Sequence, residues 1–366
     1  MSKSVRPVSA ISSGAPVTQI LAALDRALNY EGPAITICSP DAPFPELFAP
    51  PEIALVVVTS GSTGNPRRVA LTGAALRASA RATHRFLGAE KGQRWVLRLP
   101  LTHIAGAMVL VRSLELESVP LVDESPESPY FESIVPTQIH RAITRDATLL
   151  KSLQKAKAVL VGGAPLSEEL MNKSKALGIN VITTYGMSET AGGCFYNNEP
   201  LQGVKVRINR ESRIEIAGPM LASGYLGDIG LLEPSESFQD GWFKTTDLGH
   251  LDADTKLQIL GRSDDVIVTG GMKVSLFEVE EIIRAYPGVA DVLCSARPDE
   301  EWGQRIIAGI VADSRLPLAD LRDFVGTKIG RYAAPRAIVW LQAIPMRGIG
   351  KPDRGALATM EPDEEI

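Results

Sequence analysis

Residues 59–68, with the sequence TSGSTGNPRR, combine the chemical groups that can bind a polyphosphate. Hydroxyls and the backbone N–H groups around Gly61 and Gly64 can donate hydrogen bonds to phosphate oxygens, and Arg67 and Arg68 can neutralise their charge. The alternative is an ordinary polar loop, because Gly, Ser and Thr cluster in many connections. The spacing matches neither G-x-x-x-x-G-K-[ST] nor G-x-G-x-x-G, so a nucleotide loop here would be of another kind.

A second polar stretch, TTYGMSETAGG at residues 183–193, follows a predicted strand. Ligands of open α/β sheets usually bind at the carboxyl ends of the strands. Tyr185 could stack on a base, and Glu189 could hold Mg²⁺, which prefers hard oxygen ligands. The same residues also fit a strand end at which the tyrosine merely packs and the glutamate is solvated.

Three further stretches place charged residues beside glycines or threonines. In GWFKTTDLG, Asp247 could accept hydrogen bonds from a ribose diol, although a single aspartate is usually a turn or cap residue. GRSDDVIVTGGMKVS contains Arg262, two adjacent acids and a Gly-Gly pair, and it would also fit an ordinary hairpin. In MRGIGKPDR, Lys351 lies between a glycine-rich turn and a proline, where an exposed lysine is normally only solvated.

These stretches are positioned by secondary-structure elements, and over residues 53–185 predicted strands alternate with predicted helices. The strand IALVVVT is predicted to lead through the glycine-rich loop to the helix GAALRASARATHRFLG, with Leu76, Ala80, Thr83 and Leu87 on one face. The later strands are WVLRLPL, KAVLVGG and INVITTYG, and the later helices are HIAGAMVLVRSL and LSEELMNKSKALG. This alternation predicts α/β layers with a largely parallel sheet.

Two of these helices carry local signals. In HIAGAMVLVRSL, the small residues Ala105, Gly106 and Ala107 would let the helix approach its neighbours closely. In LSEELMNKSKALG, Ser167 is a predicted N-cap and Gly178 a stop.

From about residue 204 the pattern changes to the short strands VKVRI, RIEIAG, GWFKTTD and KLQILG, which predict a smaller β-rich subdomain. After GRSDD, a tail of about 100 residues is long enough for a separate α+β domain. Its first helix begins with a capping box formed by Ser275 and Glu278, and its apolar face consists of Val279, Ile282, Ile283 and Tyr286. The strand RIIAGIVA, the helix LADLRDFVGTKI and the strand AIVWL follow.

The composition excludes several classes of protein. A chain of 366 residues suits two domains, and its net charge of −5 gives no general attraction to nucleic acid or anionic membranes. Its apolar runs are far shorter than the roughly 20 residues that span a bilayer, and no apolar secretory segment follows the N-terminus. Three widely spaced cysteines predict buried free thiols in a reducing cytosol rather than disulfides or a metal site.

The order TSGSTG, YGMSET, TTD, GRSDD and GIGK resembles the adenylate-forming superfamily, which includes acyl-CoA synthetases, the adenylation domains of peptide synthetases and luciferases. The resemblance covers most of the chain, from about residue 53 to residue 357. Within the superfamily, the compact length and the stretches LPLTHIAGAMVLVRSL, TYGMSETAGGC and PMRGIGKPDRGAL resemble the short, actinobacterial form of the o-succinylbenzoate–CoA ligases of menaquinone biosynthesis.

This resemblance implies an acid–thiol ligase that activates o-succinylbenzoate as an acyl adenylate and transfers it to CoA. ATP, CoA and Mg²⁺ would be its cofactors. Two alternative functions are another aryl- or acyl-CoA ligase of the same superfamily and a non-catalytic acyl-adenylate binder. A homo-oligomer is a further possibility. Neither binding to nucleic acid nor insertion into a membrane is expected. The expected location is the cytoplasm.

The resemblance also implies which residues hold the nucleotide. The β- and γ-phosphates would be held by Thr59, Ser60, Gly61, Ser62, Thr63 and Gly64. The adenine would be held by Gly162, Gly163, Ala164 and Tyr185, and Gly186 is a further cofactor-binding residue. Ser188 would lie near the α-phosphate and Glu189 would bind Mg²⁺. Asp247 and Arg262 would hold the ribose hydroxyls.

Lys351, His103 and Glu189 are the catalytic residues that the resemblance implies. Lys351 would offset the repulsion between the substrate carboxylate and the α-phosphate, and His103 would contact the acyl substrate.

The implied fold is α/β, with a large N-terminal domain of layered α/β sheets and a small β-rich subdomain over residues 1–263. A small, mobile α+β C-terminal domain, residues 264–366, would rotate about Asp264. That rotation would bring Gly270 and Gly271 to the CoA thiol.

The chain departs from the family pattern at two places. Pro66-Arg67-Arg68 stands where the family has Pro-Lys-Gly, and Ser275 stands where a proline usually follows the Gly-Gly loop. Arginine can still neutralise phosphate, although its geometry differs from that of lysine.

Overall fold

A computed structural model describes residues 5–40, 42–59, 66–122, 130–312, 314–346 and 352–366. The α-helices of these residues are α1 (Val17–Leu28), α2 (Gly73–Leu87), α3 (Ile104–Glu115), α4 (Pro136–Thr144), α5 (Ala147–Lys155), α6 (Glu168–Ala176), α7 (Leu276–Arg284), α8 (Leu318–Ile329) and α9 (Arg354–Thr359). No helix in this described part of the chain is both long and apolar enough to cross a bilayer.

The β-strands alternate with these helices in the first half of the chain and dominate after it. They are β1 (Arg6–Ser12), β2 (Ala34–Cys38), β3 (Leu47–Ala49), β4 (Ile53–Thr59), β5 (Arg67–Thr72), β6 (Arg94–Leu97), β7 (Leu121–Val122), β8 (Tyr130–Ile134), β9 (Ala158–Val161), β10 (Val181–Met187), β11 (Gly192–Tyr196), β12 (Glu199–Pro200), β13 (Lys205–Ile208), β14 (Arg213–Ala217), β15 (Gly224–Leu226), β16 (Leu232–Glu233), β17 (Phe238–Gln239), β18 (Trp242–Leu251), β19 (Leu257–Arg262), β20 (Val266–Thr269), β21 (Met272–Ser275), β22 (Val289–Asp299), β23 (Gly303–Ala312), β24 (Ala337–Trp340) and β25 (Glu364–Glu365).

The chain divides into two compact units. The first consists of Met1–Arg207, Glu215–Lys244 and Ala253–Lys256, and the second consists of Ile208–Ile214, Thr245–Asp252 and Leu257–Ile366. The domain division predicted at Asp264 depends on a rotation about that residue, and it stays a prediction.

Two seven-stranded sheets form the α/β layers of the first unit. One has the strand order β12-β11-β10-β9-β8-β6-β7, and its five consecutive strands from β10 to β7 run parallel, as predicted. The other has the order β16-β15-β5-β4-β2-β1-β3 and is mixed, because only β1–β2 and β2–β4 are parallel pairs. The prediction of a largely parallel sheet is therefore wrong for this second sheet. Three of its strands, β1, β2 and β3, come from a region where no element was predicted.

The segment after the glycine-rich loop was also predicted wrongly. Instead of leading directly into a helix, the loop leads into β5, which runs back antiparallel to β4 with Arg67 opposite Thr59. The reason is the apolar run of Val69, Ala70 and Leu71, which is fully buried in the sheet. The Thr72 hydroxyl then accepts a hydrogen bond from the Ala75 N–H (3.0 Å) and caps the predicted helix α2.

The local helix signals are confirmed in the first unit. Ser167 caps α6 by accepting a hydrogen bond from the Leu170 N–H, and Gly178 follows the helix with φ +77°. In α3, Gly106 and Ala107 are buried, whereas Ala105 is exposed. A Cβ at Gly106 would lie 2.2 Å from the Pro100 carbonyl oxygen, so only glycine allows this close approach.

The α+β character predicted for the tail is confirmed in the second unit. The sheet β22-β23-β24-β25 packs against α7 and α8. Val279 and Ile283 of α7 are fully buried there, with Ile282 and Tyr286 beside them. The Ser275 hydroxyl accepts a hydrogen bond from the Glu278 N–H, which is one half of the predicted capping box. The short strands predicted from residue 204 form the sheet β13-β14-β18-β17, with β19 paired to β18.

Candidate nucleotide-binding and acyl-binding site

Glu189 lies in a tight turn between β10 and β11. A short 3₁₀ turn, Ser188–Thr190, follows β10, and Ala191 then adopts a left-handed conformation with φ +49°. The Thr190 hydroxyl accepts a hydrogen bond from the Met187 N–H (2.9 Å) and closes the turn. A Cβ at Gly186 would lie 2.1 Å from the Gly192 carbonyl oxygen, so this glycine lets the chain fold back on itself.

Tyr225 holds the Glu189 carboxylate, a contact that the sequence did not predict. The Tyr225 hydroxyl donates a hydrogen bond to Glu189 Oε1 (2.9 Å), and the Arg67 guanidinium lies 5.0 Å from the centre of the tyrosine ring. Burial, followed by the charge of Glu189, raises the pKa of Tyr225 to about 12, so the hydroxyl stays protonated at neutral pH. This contact joins the turn that carries Glu189 to the end of the phosphate-loop hairpin.

The two arginines after the loop have different partners. The side chain of Arg67 contacts Tyr225, whereas Arg68 forms an ion pair with Asp228 (2.5 Å). The Thr59 hydroxyl donates a hydrogen bond to the Arg67 carbonyl oxygen (3.3 Å) at the base of the hairpin. Ser60, Gly61, Ser62, Thr63 and Gly64 lie outside the described residues, as does Lys351.

The residues predicted for the adenine meet at one edge of the parallel sheet. Strands β9 and β10 pair with Val161 opposite Thr183, so the residues that follow each strand lie side by side. A Cβ at Gly162 would lie 2.3 Å from the Thr184 hydroxyl, and Gly163 has φ +85°. Gly163 is exposed, while Ala164 and Tyr185 are half-buried, which leaves a strip of backbone and an aromatic ring accessible for a flat base.

Asp247 and Arg262, the residues predicted for the ribose, face each other across two strands. They are opposite in the register of β18 and β19, and Arg262 Nη1 lies 3.6 Å from Asp247 Oδ1. Arg262 also contacts Asp264 (2.8 Å). Burial alone would lower the pKa of Arg262, but the hydrogen bond that Arg262 donates to Asp264 and the charge of Asp247 outweigh burial and raise the pKa.

Gly270 and Gly271 form the two-residue turn of the β20–β21 hairpin, so the hairpin considered for this stretch is present. Both have positive φ, +55° and +77°, which glycine adopts without strain. The Gly270 N–H donates to the Trp302 carbonyl oxygen (3.0 Å), and a Cβ at Gly270 would lie 2.7 Å from the indole ring. Trp302 therefore backs the turn that is predicted to meet CoA.

His103 and Arg112 stand at the two ends of α3. His103 is exposed at the N-cap position. Arg112 is only 4% exposed, its Nη1 donates to the Ser133 hydroxyl (3.3 Å), and its guanidinium lies 4.9 Å from the Trp95 ring centre.

The charge of Arg112 has no counter-charge among the described residues. Arg112 forms no ion pair with any of them, and its Nε has no hydrogen-bond partner there. Its Nη2 lies 4.0 Å from the point where a side chain at Gly192 would begin. A buried, unpaired guanidinium is costly, so such a charge suggests an anionic ligand. The sequence shows an arginine late in a predicted helix and gives no sign of its burial.

The described residues contain no group of three or more His, Cys, Asp or Glu side chains arranged for a metal ion. A magnesium ion beside a nucleotide needs only one or two carboxylates, because phosphate oxygens and waters supply its other ligands. Glu189, with Oε1 held by Tyr225, fits that requirement as a single protein ligand.

The fold and this arrangement of motifs define a class of enzyme. The AMP-binding enzyme family matches residues 9–224, and the C-terminal domain of AMP-binding enzymes matches residues 278–351. The chain belongs to the AMP-binding enzyme family, an adenylate-forming fold with a large α/β domain and a small C-terminal domain.

Two relatives that are similar in sequence are named as 2-succinylbenzoate–CoA ligases. The chain is 38% identical to a probable 2-succinylbenzoate–CoA ligase of Mycobacterium tuberculosis, over 95% of this chain and 96% of the relative. It is 29% identical to the 2-succinylbenzoate–CoA ligase of Enterococcus faecalis, over 82% of this chain and 68% of the relative.

Two solved structures of such ligases are also similar. The o-succinylbenzoate CoA synthetase of Bacillus subtilis, in complex with the acyl-adenylate intermediate OSB-AMP, has a TM-score of 0.72 at 22% identity, covers 96% of this chain and 82% of its own, and shows the fold. Wild-type Escherichia coli MenE with a bound phenylether-linked analogue of OSB-AMS has a TM-score of 0.70 at 25% identity and covers 94% and 80%.

Proposed function

We propose that this chain is an AMP-forming acid–thiol ligase that converts o-succinylbenzoate to o-succinylbenzoyl-CoA, a step of menaquinone biosynthesis. The observation that carries the proposal is the 38% identity with a probable 2-succinylbenzoate–CoA ligase over almost the full length of both chains. The pairing of Asp247 with Arg262 and the buried, unpaired Arg112 support it, because they supply groups for a ribose and for an anionic substrate.

The first half-reaction joins the acid to the nucleotide. A carboxylate oxygen of the substrate attacks the α-phosphorus of ATP, the bond to the β-phosphate oxygen breaks, and pyrophosphate leaves. In this proposal the ammonium group of Lys351 lowers the repulsion between the two anions, while Asp247 and Arg262 fix the ribose. Glu189, positioned by Tyr225, would hold a Mg²⁺ ion, which neutralises the phosphates when bound.

The second half-reaction moves the acyl group to sulfur. The thiolate of CoA attacks the acyl carbon, the mixed anhydride breaks, and AMP leaves with the bonding electron pair. The Gly270–Gly271 turn takes the place of Lys351 next to the acyl carbon, because a backbone without side chains leaves room for the thiol arm.

Arg112 binds the second carboxylate of the substrate in this proposal. Its guanidinium is buried near the end of α3, and its Nη2 lies 4.0 Å from the point where a side chain at Gly192 would begin. A desolvated guanidinium attracts a carboxylate strongly and rejects a neutral group in the same place.

A panel of acids tests both the reaction and the substrate. Purified protein with ATP, CoA and Mg²⁺ should release AMP and pyrophosphate with o-succinylbenzoate. Analogues that keep the reacting carboxylate but lack the second one should react at least about tenfold more slowly. Arg112→Met should abolish most of that preference while keeping a similar volume. Preference for another aryl or fatty acid would point to a different acyl-CoA ligase, and binding without turnover of any acid would point to a non-catalytic acyl-adenylate binder.

A cytoplasmic location also belongs to this proposal. Cys38, Cys194 and Cys294 are all free thiols, and burial raises the pKa of Cys194 to about 12. Cys194 and Cys294 are buried as predicted, whereas Cys38 is only half-buried. Free thiols suit a reducing compartment, where ATP and CoA are also present.

A further inference from the structure

Arg354, the first residue of α9, joins three separate parts of the second unit. Its guanidinium forms an ion pair with Glu280 of α7, and its Nε lies 3.1 Å from Asp265 Oδ2. Its Nη1 also donates to the Cys294 carbonyl oxygen of β22 (2.5 Å). One side chain therefore connects a helix, a strand and the turn that follows β19.

The Glu280 end of this connection is buried. The Glu280 side chain is 6% exposed, and its Oε1 also accepts a hydrogen bond from the Cys294 N–H (2.6 Å). Burial lowers the pKa of Arg354, but its hydrogen bonds and ion pairs with Glu280 and Asp265 outweigh burial and raise it. Arg354 stays charged, and planar, bidentate contacts of this kind fix geometry as well as charge.

Two neighbouring acids are held by different arginines. Asp264, the predicted hinge residue, pairs with Arg262 at the end of β19 (2.8 Å). Asp265, the next residue, pairs with Arg354 of α9. Asp264 is therefore bound to the end of β19, and Asp265 is bound to α9. In a rotation about Asp264, Asp265 would be the first residue that moves together with α9.

The same arginine is close in sequence to the predicted catalytic lysine. Lys351 precedes Arg354 by three residues. Among the described residues nearby, Met346 and Pro352 form an antiparallel bridge, and the Asp353 N–H donates to the Pro345 carbonyl oxygen (2.8 Å). The described residues just before position 347 and just after position 351 are thus joined to each other next to the start of α9.

We propose that Arg354 is a positioning residue for adenylate formation, a role that rests on the function proposed above. By binding Asp265 and Glu280 together, it makes the first residue after the hinge and the base of the Lys351 segment parts of one rigid body. In a rotation about Asp264, α9 then turns through the same angle as Asp265, and the lysine that precedes α9 is carried with it. Arg354 touches no substrate itself.

The two half-reactions, measured separately, test this role. Asp265→Asn removes one of the two carboxylates that Arg354 binds and leaves the buried Glu280 pair intact. We expect pyrophosphate exchange to fall about tenfold, with the KM for ATP unchanged, while transfer from supplied acyl-AMP to CoA stays within about twofold. Arg354→Lys, which keeps the charge but cannot reach both acids, should show the same split.

A matched control is Asp323→Asn, because Asp323 forms an exposed ion pair with Arg331 (3.8 Å) in the same unit. This variant should change neither half-reaction. If Asp265→Asn and Arg354→Lys slow both half-reactions equally, or leave pyrophosphate exchange unchanged, Arg354 is only structural and the proposal is wrong.

A double-mutant cycle with Lys351→Ala separates this inference from the function itself. If Arg354 acts through the lysine, Asp265→Asn should have almost no further effect on pyrophosphate exchange in the Lys351→Ala background. Full additivity would contradict the positioning role even if Lys351→Ala is inactive as expected. An unchanged rate for Lys351→Ala alone would instead contradict the proposed function.

Discussion

His84 is a buried histidine that the fold holds in its neutral form. The Trp95 indole N–H donates to His84 Nε2 (3.3 Å), so this nitrogen has to be unprotonated. Burial, followed by the positive charge of Arg112, lowers the pKa of His84 to about 3. The neutral imidazole therefore lies in the same cluster as the guanidinium that we assign to the substrate, and both pack against Trp95.

This lowered pKa predicts a loss of stability in mild acid. His84 takes up a proton near pH 6.5 in the unfolded chain and only near pH 3 in the folded one, so its contribution is complete above pH 6.5 and declines as the pH falls towards 3. On lowering the pH from about 8 to about 5, the free energy of unfolding should decrease by about 2 kcal/mol because of His84. His84→Gln, which keeps an acceptor for Trp95, should show a shallower pH dependence in urea unfolding.

His140→Gln is the control for this measurement, because His140 is exposed on α4. An identical pH dependence in the wild type and in His84→Gln would show that His84 is not held neutral by the fold.

Helix α3 carries two residues of the proposed site, so its close packing has a functional role. His103 stands at its start and Arg112 near its end, and Gly106 lies between them against the Pro100 carbonyl. Because that contact leaves no room for a Cβ, any larger residue has to push the helix away from the preceding segment. Both ends of the helix would then move with it.

Gly106→Ala should therefore destabilise the protein although alanine favours helices. We expect a loss of about 1–3 kcal/mol in the free energy of unfolding, and a higher KM for the acid. Gly326→Ala in α8 is the matched control, because the tightest contact of its new methyl group is 3.2 Å to the Cγ of Arg331, an exposed and flexible side chain, and the Arg331 backbone lies at an ordinary contact distance of 3.7 Å. That variant should be neutral or gain up to about 1 kcal/mol. Equal effects at both positions would contradict the packing argument.

At the scale of the whole molecule, the proposed mechanism uses two different groups in turn. In that proposal Lys351 serves adenylate formation and the Gly270–Gly271 turn serves thioester formation, and both belong to residues 264–366. A rotation of this part about Asp264 between the half-reactions stays a prediction, and it makes the two steps separable by mutation.

Lys351→Ala should strongly reduce adenylate formation, because the repulsion between the carboxylate and the α-phosphate is no longer offset. Transfer of the acyl group from supplied acyl-AMP to CoA should remain largely intact. Pyrophosphate release and thioester formation, followed separately, give the two rates. Equal loss of both rates would contradict the prediction that residues 264–366 adopt a different arrangement for each half-reaction.

The sequence alone determined the features that depend on neighbours along the chain. The strand β4, the helix α2 and the caps at Ser167 and Ser275 were predicted correctly, because apolar periodicity and capping act within one or two turns. The order of the motifs, read as a family resemblance, was also enough to predict the adenylate-forming fold that the family match confirms.

Only the tertiary structure decided which distant residues meet. Tyr225 lies 36 residues from Glu189 in sequence, and Arg354 lies 74 residues from Glu280, yet each pair is in hydrogen-bond contact. The return of β5 against β4 and the burial of Arg112 were equally invisible in the sequence. In each of these cases the stabilising partner comes from another element, so the local pattern around either residue carries no sign of the contact.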